Sequence, residues 1–480
     1  MSSKISIYWL RNDLRLHDNE ALHLAISNAS NVLPVYCFDP RHYRLLELGF
    51  RKTGIHRFRF LCACLTDLKK QLQEKGSDLM LAVGQPEQII PELVIKYEAS
   101  AVYAQKEIAS EETEVEAGVK KALEEQGVPL HLVWGKTLYH LDDIPYTAQE
   151  IPLTSKAFRI NVGKATEPRD LFSVPTTIPT VNIRDWGALP SSDAIGYTEV
   201  ERAVPAQNIY QGGERQALQR LQYYTFESQL LTNYKFTRNR SLGLDYSSKF
   251  SPWMAHGCLS PRKIYHTVKQ YEVDIKRNIS TWWLVFEVVW RDFFKFQALR
   301  FGNLMFAEGG IRKRKVSWQY DEALFDRWKD GKTGIPFLDA HMKELQQTGF
   351  MSNRGRVNAA SFLTRDYQID WRWGAAWFEN LLLDYDVCSN WLNWNTQATE
   401  IWYTNPVHQA MKYDKKGRYT LYWLPELARL PYPLYHAPWL LTEEERAKYG
   451  VKDYLEPVEI YGKWNRSISN IKKAFQEGSD

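Results

Sequence analysis

The strongest constraint on how this 480-residue chain folds is a row of five short apolar runs in its first 135 residues. They are ISIYWL (5–10), VLPVYCF (32–38), LMLAVG (79–84), AVYAQ (101–105) and HLVWG (131–135). Each is short, rich in β-branched or aromatic residues, and apolar on both faces, as a strand buried in a parallel sheet must be. Amphipathic stretches separate them; one is FRFLCACLTDLKKQLQEKG (58–76), which ends on a glycine. The order βαβαβ predicts a doubly wound, Rossmann-like α/β domain over 1–139. No G-x-G-x-x-G follows the first run, so a dinucleotide on that turn is not predicted.

Residues 140–210 change character. They are rich in Pro, Thr and Ser with little periodicity, and read as a long connector draped over the surface of both domains. From 211 to 480 the pattern is mostly helical, which predicts a large all-α domain. ISTWWLVFEVVWRDFFKFQALRFG (279–302) is apolar on most faces and should be buried. Glu287, Arg291 and Asp292 within it therefore need partners or a cavity. GIPFLDAHMKELQQTG (334–349) and IDWRWGAAWFENLLLDYD (369–386) read as further helices, the second with Asp370 as its N-cap.

Several classes are disfavoured. The formal charge is +4, from 61 basic and 57 acidic residues, too small an excess to argue for nucleic acid without a clustered basic face. The run IRKRK (311–315) reads first as a solvated loop. Cys37, Cys62, Cys64, Cys258 and Cys388 have no metal-ligand spacing, and no metal is expected. The start lacks a signal or transit pattern, and no apolar run reaches the ~18 residues of a membrane span. A soluble, cytoplasmic monomer is the expectation. The 18 tryptophans admit two readings, core filler or a task that needs indoles.

LDYSSKFSPWMAHGCLSPRKIY (244–265) carries the sharpest chemistry. Ser251-Pro252 and Ser260-Pro261 read as the N-cap and N1 of two helices. Ser247, Ser248 and Lys249 precede the first of them, adding hydroxyls and a cation to free backbone N–H groups. Ordinary capping would explain this, and so would a phosphate or diphosphate.

The stretch GLDYSSKFSPWMAHGCLSPR (243–262) closely resembles the flavin-binding signature of the photolyase/cryptochrome family, in its DASH cryptochrome branch. YWLRNDLRLHDNEAL (8–22), FEVVWRDFFKF (286–296), KTGIPFLDAHMKELQQTGFMSNRGRVNAASFLTRD (332–366) and DWRWGAAWFENLLLDYDVCSNW (370–391) agree in the same order. The resemblance covers nearly the whole chain. It implies one bent FAD in the helical domain, its diphosphate held by Ser247, Ser248, Lys249, Phe250 and Ser251 with Tyr234 on the same side. Arg356 and Asp384 are similar to the family's ion pair beside the isoalloxazine. Asp386 resembles the carboxylate at the ring's polar edge, and Asn390 the residue facing flavin N5. Arg291 and Asn353 belong to the same pocket.

The resemblance also implies an activity: light-driven splitting of cyclobutane pyrimidine dimers, in single-stranded or looped DNA, by an electron from reduced FAD. Trp290 would stack on the lesion, Glu287 would bond its polar edge, and Arg354 would meet a phosphate. Trp394, Trp371 and Trp318 align with the family's chain of three indoles from flavin to surface; Trp373, Trp377 and Trp391 lie near them in sequence. Some members carry a 5,10-methenyltetrahydrofolate antenna, for which Glu107 is the candidate contact.

The sequence departs from the pattern after Trp394. Asn395-Thr396 stands where DASH members usually have Leu-Tyr, the following loop is shorter, and Val357 replaces a commonly polar residue. One aromatic wall of the lesion pocket is then lost or supplied by Trp402 or Tyr403. Stacking contributes ~1–3 kcal/mol per base, so lesion binding should weaken. Two functions from different classes remain open, a repair enzyme and a signalling photoreceptor, with a nucleic-acid-binding protein holding a structural flavin as a weaker third. The chain ends at ISNIKKAFQEGSD, soon after the helical domain, which favours the enzyme.

Overall fold

A computed structural model describes residues 4–206, 209–400 and 403–477. Five strands, β1 (Ile5–Leu10), β2 (Asn31–Phe38), β3 (Met80–Val83), β4 (Ala99–Gln105) and β5 (Leu130–Val133), pair in parallel in the order β3-β2-β1-β4-β5. The crossovers contain helices α1 (Glu20–Ser27), α2 (Ile55–Glu74), α3 (Pro86–Tyr97) and α4 (Ser110–Glu124). Alternate strand residues Ile7, Trp9, Leu33, Val35, Val102 and Ala104 form one core with Ile90, Val94, Val119 and Leu123 of α3 and α4. This is the doubly wound α/β architecture predicted from the five apolar runs, each strand lying within a residue or two of its run. The strand order reverses between β1 and β4, and ligands of open α/β sheets bind at the carboxyl ends of such strands.

The described residues fall into two compact units that do not follow chain order. One runs up to Lys235 and adds Ser248–Leu304 and Leu383–Ser389; the other comprises Phe236–Ser247, Met305–Leu382 and the chain from Asn390.

The connector is more ordered than its composition suggests. It contains a helix, Ser155–Ala165, and buries Ile151, Phe158, Val162 and Ile178 completely. Phe158 packs on Phe293 and Phe296, with ring centroids 5.7 and 5.4 Å apart. The Val32 and Leu81 N–H groups donate to the carbonyls of Pro179 and Trp186 at 2.8 and 2.9 Å. Its buried apolar residues are too widely spaced to register as a period.

The long apolar helix spans Ile279–Phe301, with Asn278 accepting from the N–H groups of Ser280 and Thr281 at its start. All three charges flagged in it find partners. Asp292, fully buried, accepts from the backbone N–H groups of Leu138 and Tyr139, both at 3.0 Å. Arg291 donates to the Lys136 carbonyl at 2.6 Å, and Glu287 accepts from the Trp283 indole at 3.0 Å. A fourth charge, Lys295, is as buried as the apolar residues around it.

In the second unit, helices Pro336–Thr348, Asn353–Ser361 and Trp371–Leu381 pack around Trp328, Trp371 and Phe378, all but fully buried. Asp370 caps the last of these by accepting from the Arg372 N–H at 2.9 Å, as its sequence position predicts. The 369–386 stretch is not one helix, however. It leaves the helical path at Leu382, and a new helix, Val387–Thr399, follows.

Asp292→Ala would leave two buried N–H groups without an acceptor. Denaturant titration should show a loss on the order of 3 kcal/mol, and about half that for Asp292→Asn, which keeps one acceptor oxygen.

Candidate functional site

The 244–265 segment divides into two halves with different tasks. Its second half is a structural clamp within the first unit. Gly257 lies in the left-handed region (φ 71°), and a Cβ there would sit 1.9 Å from the Asn12 carbonyl oxygen, so only glycine lets the two backbones meet. Arg15 donates to the Gly257 carbonyl at 2.9 Å. Ser260 caps the Pro261–Asp274 helix and also donates to Asp18, which pairs with Arg262 at 2.7 Å. His17 pairs with the buried Glu214. The motifs LRNDLRLHDN and HGCLSPR are therefore two halves of one contact.

The first half presents the polar groups. Lys249 has a positive φ of 62°, and the turn it makes already places Phe250 in helical conformation. Ser251 is consequently the first residue of its helix and not its N-cap, a correction to the sequence-based reading. That helix is only Ser251–Ala255, so its macrodipole is small. What the segment offers an anion is therefore the Ser247, Ser248 and Ser251 side chains, Ser251 being exposed, and Lys249, rather than a helix end. Arg220 donates to the Ser248 carbonyl at 3.1 Å. Behind them Tyr234, Tyr224 and Phe250 meet edge-on, at 6.4 and 5.9 Å.

In the same unit Asp386 forms an ion pair with Lys295, and Arg291 lies 4.0 Å away. Burial works to raise the Asp386 pKa, but the Lys295 ammonium and the Arg291 guanidinium hold it well below the usual carboxylate range. Asp386 also accepts from the Ser389 N–H at 2.9 Å, fixing the start of the Val387–Thr399 helix. Half-buried Asp384 follows Leu383, whose carbonyl lies 3.2 Å from His256 Nε2. Burial and the Arg57 charge push His256 down to about 4, so it is neutral at pH 7. Along the helix from Asp386, Asn390 and Trp394 come one and two turns later. The Asn390 amide donates to the Ala375 carbonyl at 3.0 Å.

Trp290 is half-buried, edge-on to Phe286 and Phe293 at 6.1 and 5.7 Å. Glu287, one turn before Arg291, is held by Trp283.

In the second unit Asn353 is exposed at the first turn of its helix, after the capping Ser352. Arg354 lies 4.3 Å over the Tyr413 ring and donates to Gln409 and Asn239, at 3.3 and 3.1 Å. These partners are neutral, so its charge stays available to an anion. Arg356 donates to the Met351 carbonyl at 2.9 Å and lies over Phe350. Trp394 packs edge-on against Phe378 at 5.0 Å and Trp328 at 6.1 Å. Gly374 makes its slot, since a Cβ there would stand 2.3 Å from Trp394 Cη2. Trp371 donates to the Glu308 carbonyl at 2.9 Å and meets Trp391 at 5.8 Å. Trp318 is buried, with an unpaired indole N–H.

Glu107 sits at the switch point between β1 and β4, but not as an open ligand. It is buried, paired to Lys136, and within 3.5 Å of Asn12. Its N–H donates to Glu116, which pairs with Arg11 at 2.5 Å. Burial acts to raise the Glu107 pKa, but Lys136 and Arg11 lower it overall. Glu107 is thus engaged in a buried network of ion pairs at this end of the sheet.

The departure after Trp394 has a local cause. Asn395 is fully buried against the Gly310 backbone, where a Cβ would meet it at 2.1 Å, and so anchors the loop before IRKRK. Thr396 turns its hydroxyl back to the Leu392 carbonyl at 2.7 Å. Tyr403 is not a spare wall, because its hydroxyl is held by Asp366 at 3.0 Å and Trp464 at 2.5 Å. Trp402 lies outside the described residues.

Sequence reasoning missed Lys295, Lys136, Arg11 and Glu116. Lys295 carried the same signal as Arg291, a charge inside an apolar helix. The others acquire meaning only once β1 and β4 are adjacent.

Residues 6–176 match the family described as DNA photolyase, and residues 283–474 the FAD binding domain of DNA photolyase. The chain is 46% identical to a cryptochrome DASH from Natronomonas pharaonis, over 94% of this chain and 97% of that protein. It is similar to the solved Synechocystis sp. cryptochrome, with a TM-score of 0.91 and 42% identity over 99% of this chain and 100% of that one. It is also similar to a bacterial class III photolyase from Agrobacterium tumefaciens, with a TM-score of 0.86 and 27% identity over 99% and 98% of the two chains.

Two substitutions probe this geometry. Gly374→Ala should cost about 1–3 kcal/mol in stability and displace Trp394, read as a shift in tryptophan emission. Lys295→Met leaves Asp386 without its nearest cation and should cost about 3–5 kcal/mol, measured by denaturation.

Proposed function

Because this chain belongs to the photolyase/cryptochrome family, in its DASH cryptochrome branch, we propose that it is a blue-light-driven, FAD-dependent lyase that splits cyclobutane pyrimidine dimers in single-stranded or looped DNA. The observation that carries the reading is the donor set. Three hydroxyls and Lys249 suit a diphosphate, and an ionised Asp386 suits the N–H edge of a flavin. Bound FAD would supply one-electron transfer under light. Ser247, Ser248, Ser251 and Lys249 bind it, with Tyr234 and Phe250 behind them. Asp386, kept ionised by Lys295, would orient the ring, and Asn390, its amide held by the Ala375 carbonyl, would stand at the ring's reacting edge. Arg291 holds Asp386 and the 136 backbone together, and Asp384, Arg356 and Asn353 are proposed as further flavin contacts. Trp290 and Glu287 receive the lesion, and Arg354 takes a phosphate. Trp394, Trp371 and Trp318 would be the residues that pass electrons inward to it. No step is assigned to an antenna.

A second reading, a photoreceptor with little repair activity, is favoured by Thr396, which stands where photolyases usually carry an aromatic residue of the lesion site. Among the described residues no helix is long and apolar enough to cross a membrane. We propose a monomer acting in a reducing, cytoplasmic setting, in keeping with five unpaired cysteines.

Repair is tested with dimer-containing oligonucleotides, reduced protein and light. Loss of dimer from single strands is the expected result; no loss from single or double strands would favour the receptor. Trp394→Phe should slow photoreduction on the order of tenfold or more, a barrier change of about 1.4 kcal/mol.

A further inference from the structure

We infer, resting on the lyase reading above, that Trp282 is a base-stacking site outside the lesion pocket. It takes an unpaired base a few nucleotides from the dimer and so sets a preference for single strands over duplex.

Trp282, Phe286 and Trp290 stand at i, i+4 and i+8 of the Ile279–Phe301 helix, in one row along its face. Leu284 and Val288, on the opposite face, are buried. Trp290 and Phe286 are half-buried, and Trp282, at the outer end of the row, is 45% exposed. Its indole lies almost parallel to the Phe286 ring, with centroids 5.2 Å apart and planes at 21°. Phe286 meets Trp290 edge-on at 6.1 Å. A row of rings therefore leads from the lesion candidates out to the surface.

An indole used as core filler would be covered. Here a large ring stays in water, beside Ile279, which is 44% exposed one turn earlier. An exposed apolar patch of this kind marks a binding surface. The cations around it identify what binds. The Arg159 guanidinium lies 4.6 Å over the Phe286 ring and 5.8 Å over Trp282, and the Lys235 ammonium lies 5.0 Å over Trp283. Among the described residues neither cation pairs with a carboxylate. Open ring faces with unanswered positive charge against them suit a strand of bases and phosphates; an apolar peptide would leave both charges unmet.

Spacing limits which base is bound. The eight residues from Trp282 to Trp290 span about 12 Å of helix, or three to four stacking rises of ~3.4 Å. The base on Trp282 is therefore within about four nucleotides of a dimer held at Trp290 and Glu287. In a duplex each base is already stacked and paired, so only an unpaired flank reaches the indole. Every base has a π-face, so the site reads strand state and not sequence. Arg159 meets a phosphate beside the stacked base, which positions the strand without adding sequence information.

The test measures the affinity of purified holoprotein for labelled oligonucleotides carrying one thymine dimer, as single strand and as duplex. Trp282→Ala should weaken single-strand binding about tenfold and reduce the single-to-duplex preference by a similar factor. Trp282→Phe should restore most of both. An abasic site is then placed at each flanking position in turn. One position should reproduce the loss in the wild-type protein and cost nothing further in Trp282→Ala, the non-additivity of a direct contact. Circular dichroism and bound-flavin absorbance confirm that each variant is folded and loaded. Trp282 is not a base platform if Trp282→Ala keeps the wild-type single-strand affinity, if it weakens single strand and duplex alike, or if no abasic position is silent in the variant. Wild-type protein that splits no dimer under light would instead overturn the reading beneath it.

Discussion

Everything in the first unit depends on how one apolar helix places its charges. The Ile279–Phe301 helix carries Arg291, Asp292 and Lys295 into an interior that offers little water, and an unpaired charge there is costly. Two are answered by the 136–139 backbone and the third by a carboxylate far along the chain. Asp292 gathers the backbone at 138–139, Arg291 the carbonyl at 136, and Lys295 the Asp386 carboxylate. Lys136 in turn pairs with Glu107 beyond β4. A helix that would otherwise be passive filler thereby connects the end of the sheet to the start of the Val387–Thr399 helix. The charge that holds the fold at Lys295 is also the one that keeps Asp386 ionised.

The second unit solves a different problem, placing many large indoles without leaving cavities. It does so with glycine slots and stacked rings. Gly374 admits Trp394, and Phe325 and Phe378 sandwich Trp328. Close packing of this kind provides dispersion contacts and, with no extra residues, short distances for electron transfer. The two readings of the tryptophan surplus are therefore compatible, since an indole can pack in a core and still carry charge.

The five strands were legible because a doubly covered sheet demands apolar runs of a fixed length, and Asp370 and Ser260 were legible because caps depend on local chemistry. The error at Ser251 has a physical origin. A serine before proline reads as a cap, but the left-handed Lys249 starts the helix one residue earlier. The 382–386 break was hidden because LLLDYD continues an apolar pattern while its backbone turns. The closed state of Glu107 and the commitment of Tyr403 depend on partners 29 and 61 residues away along the chain, which no local pattern reveals. Asn395 read only as a departure from the usual Leu beside Thr396; its place against Gly310 becomes apparent only in three dimensions.

The account's central claim is that this chain holds one flavin dinucleotide on the Ser247–Ser251 segment and Asp386. Native mass spectrometry of protein purified without denaturant tests it most directly. The predicted spectrum is a single species one FAD heavier than the chain, with that added mass lost from a variant in which Lys249 and Ser251 are both alanine. A wild-type spectrum of the bare chain, or of the chain carrying a molecule of different mass, would contradict the account.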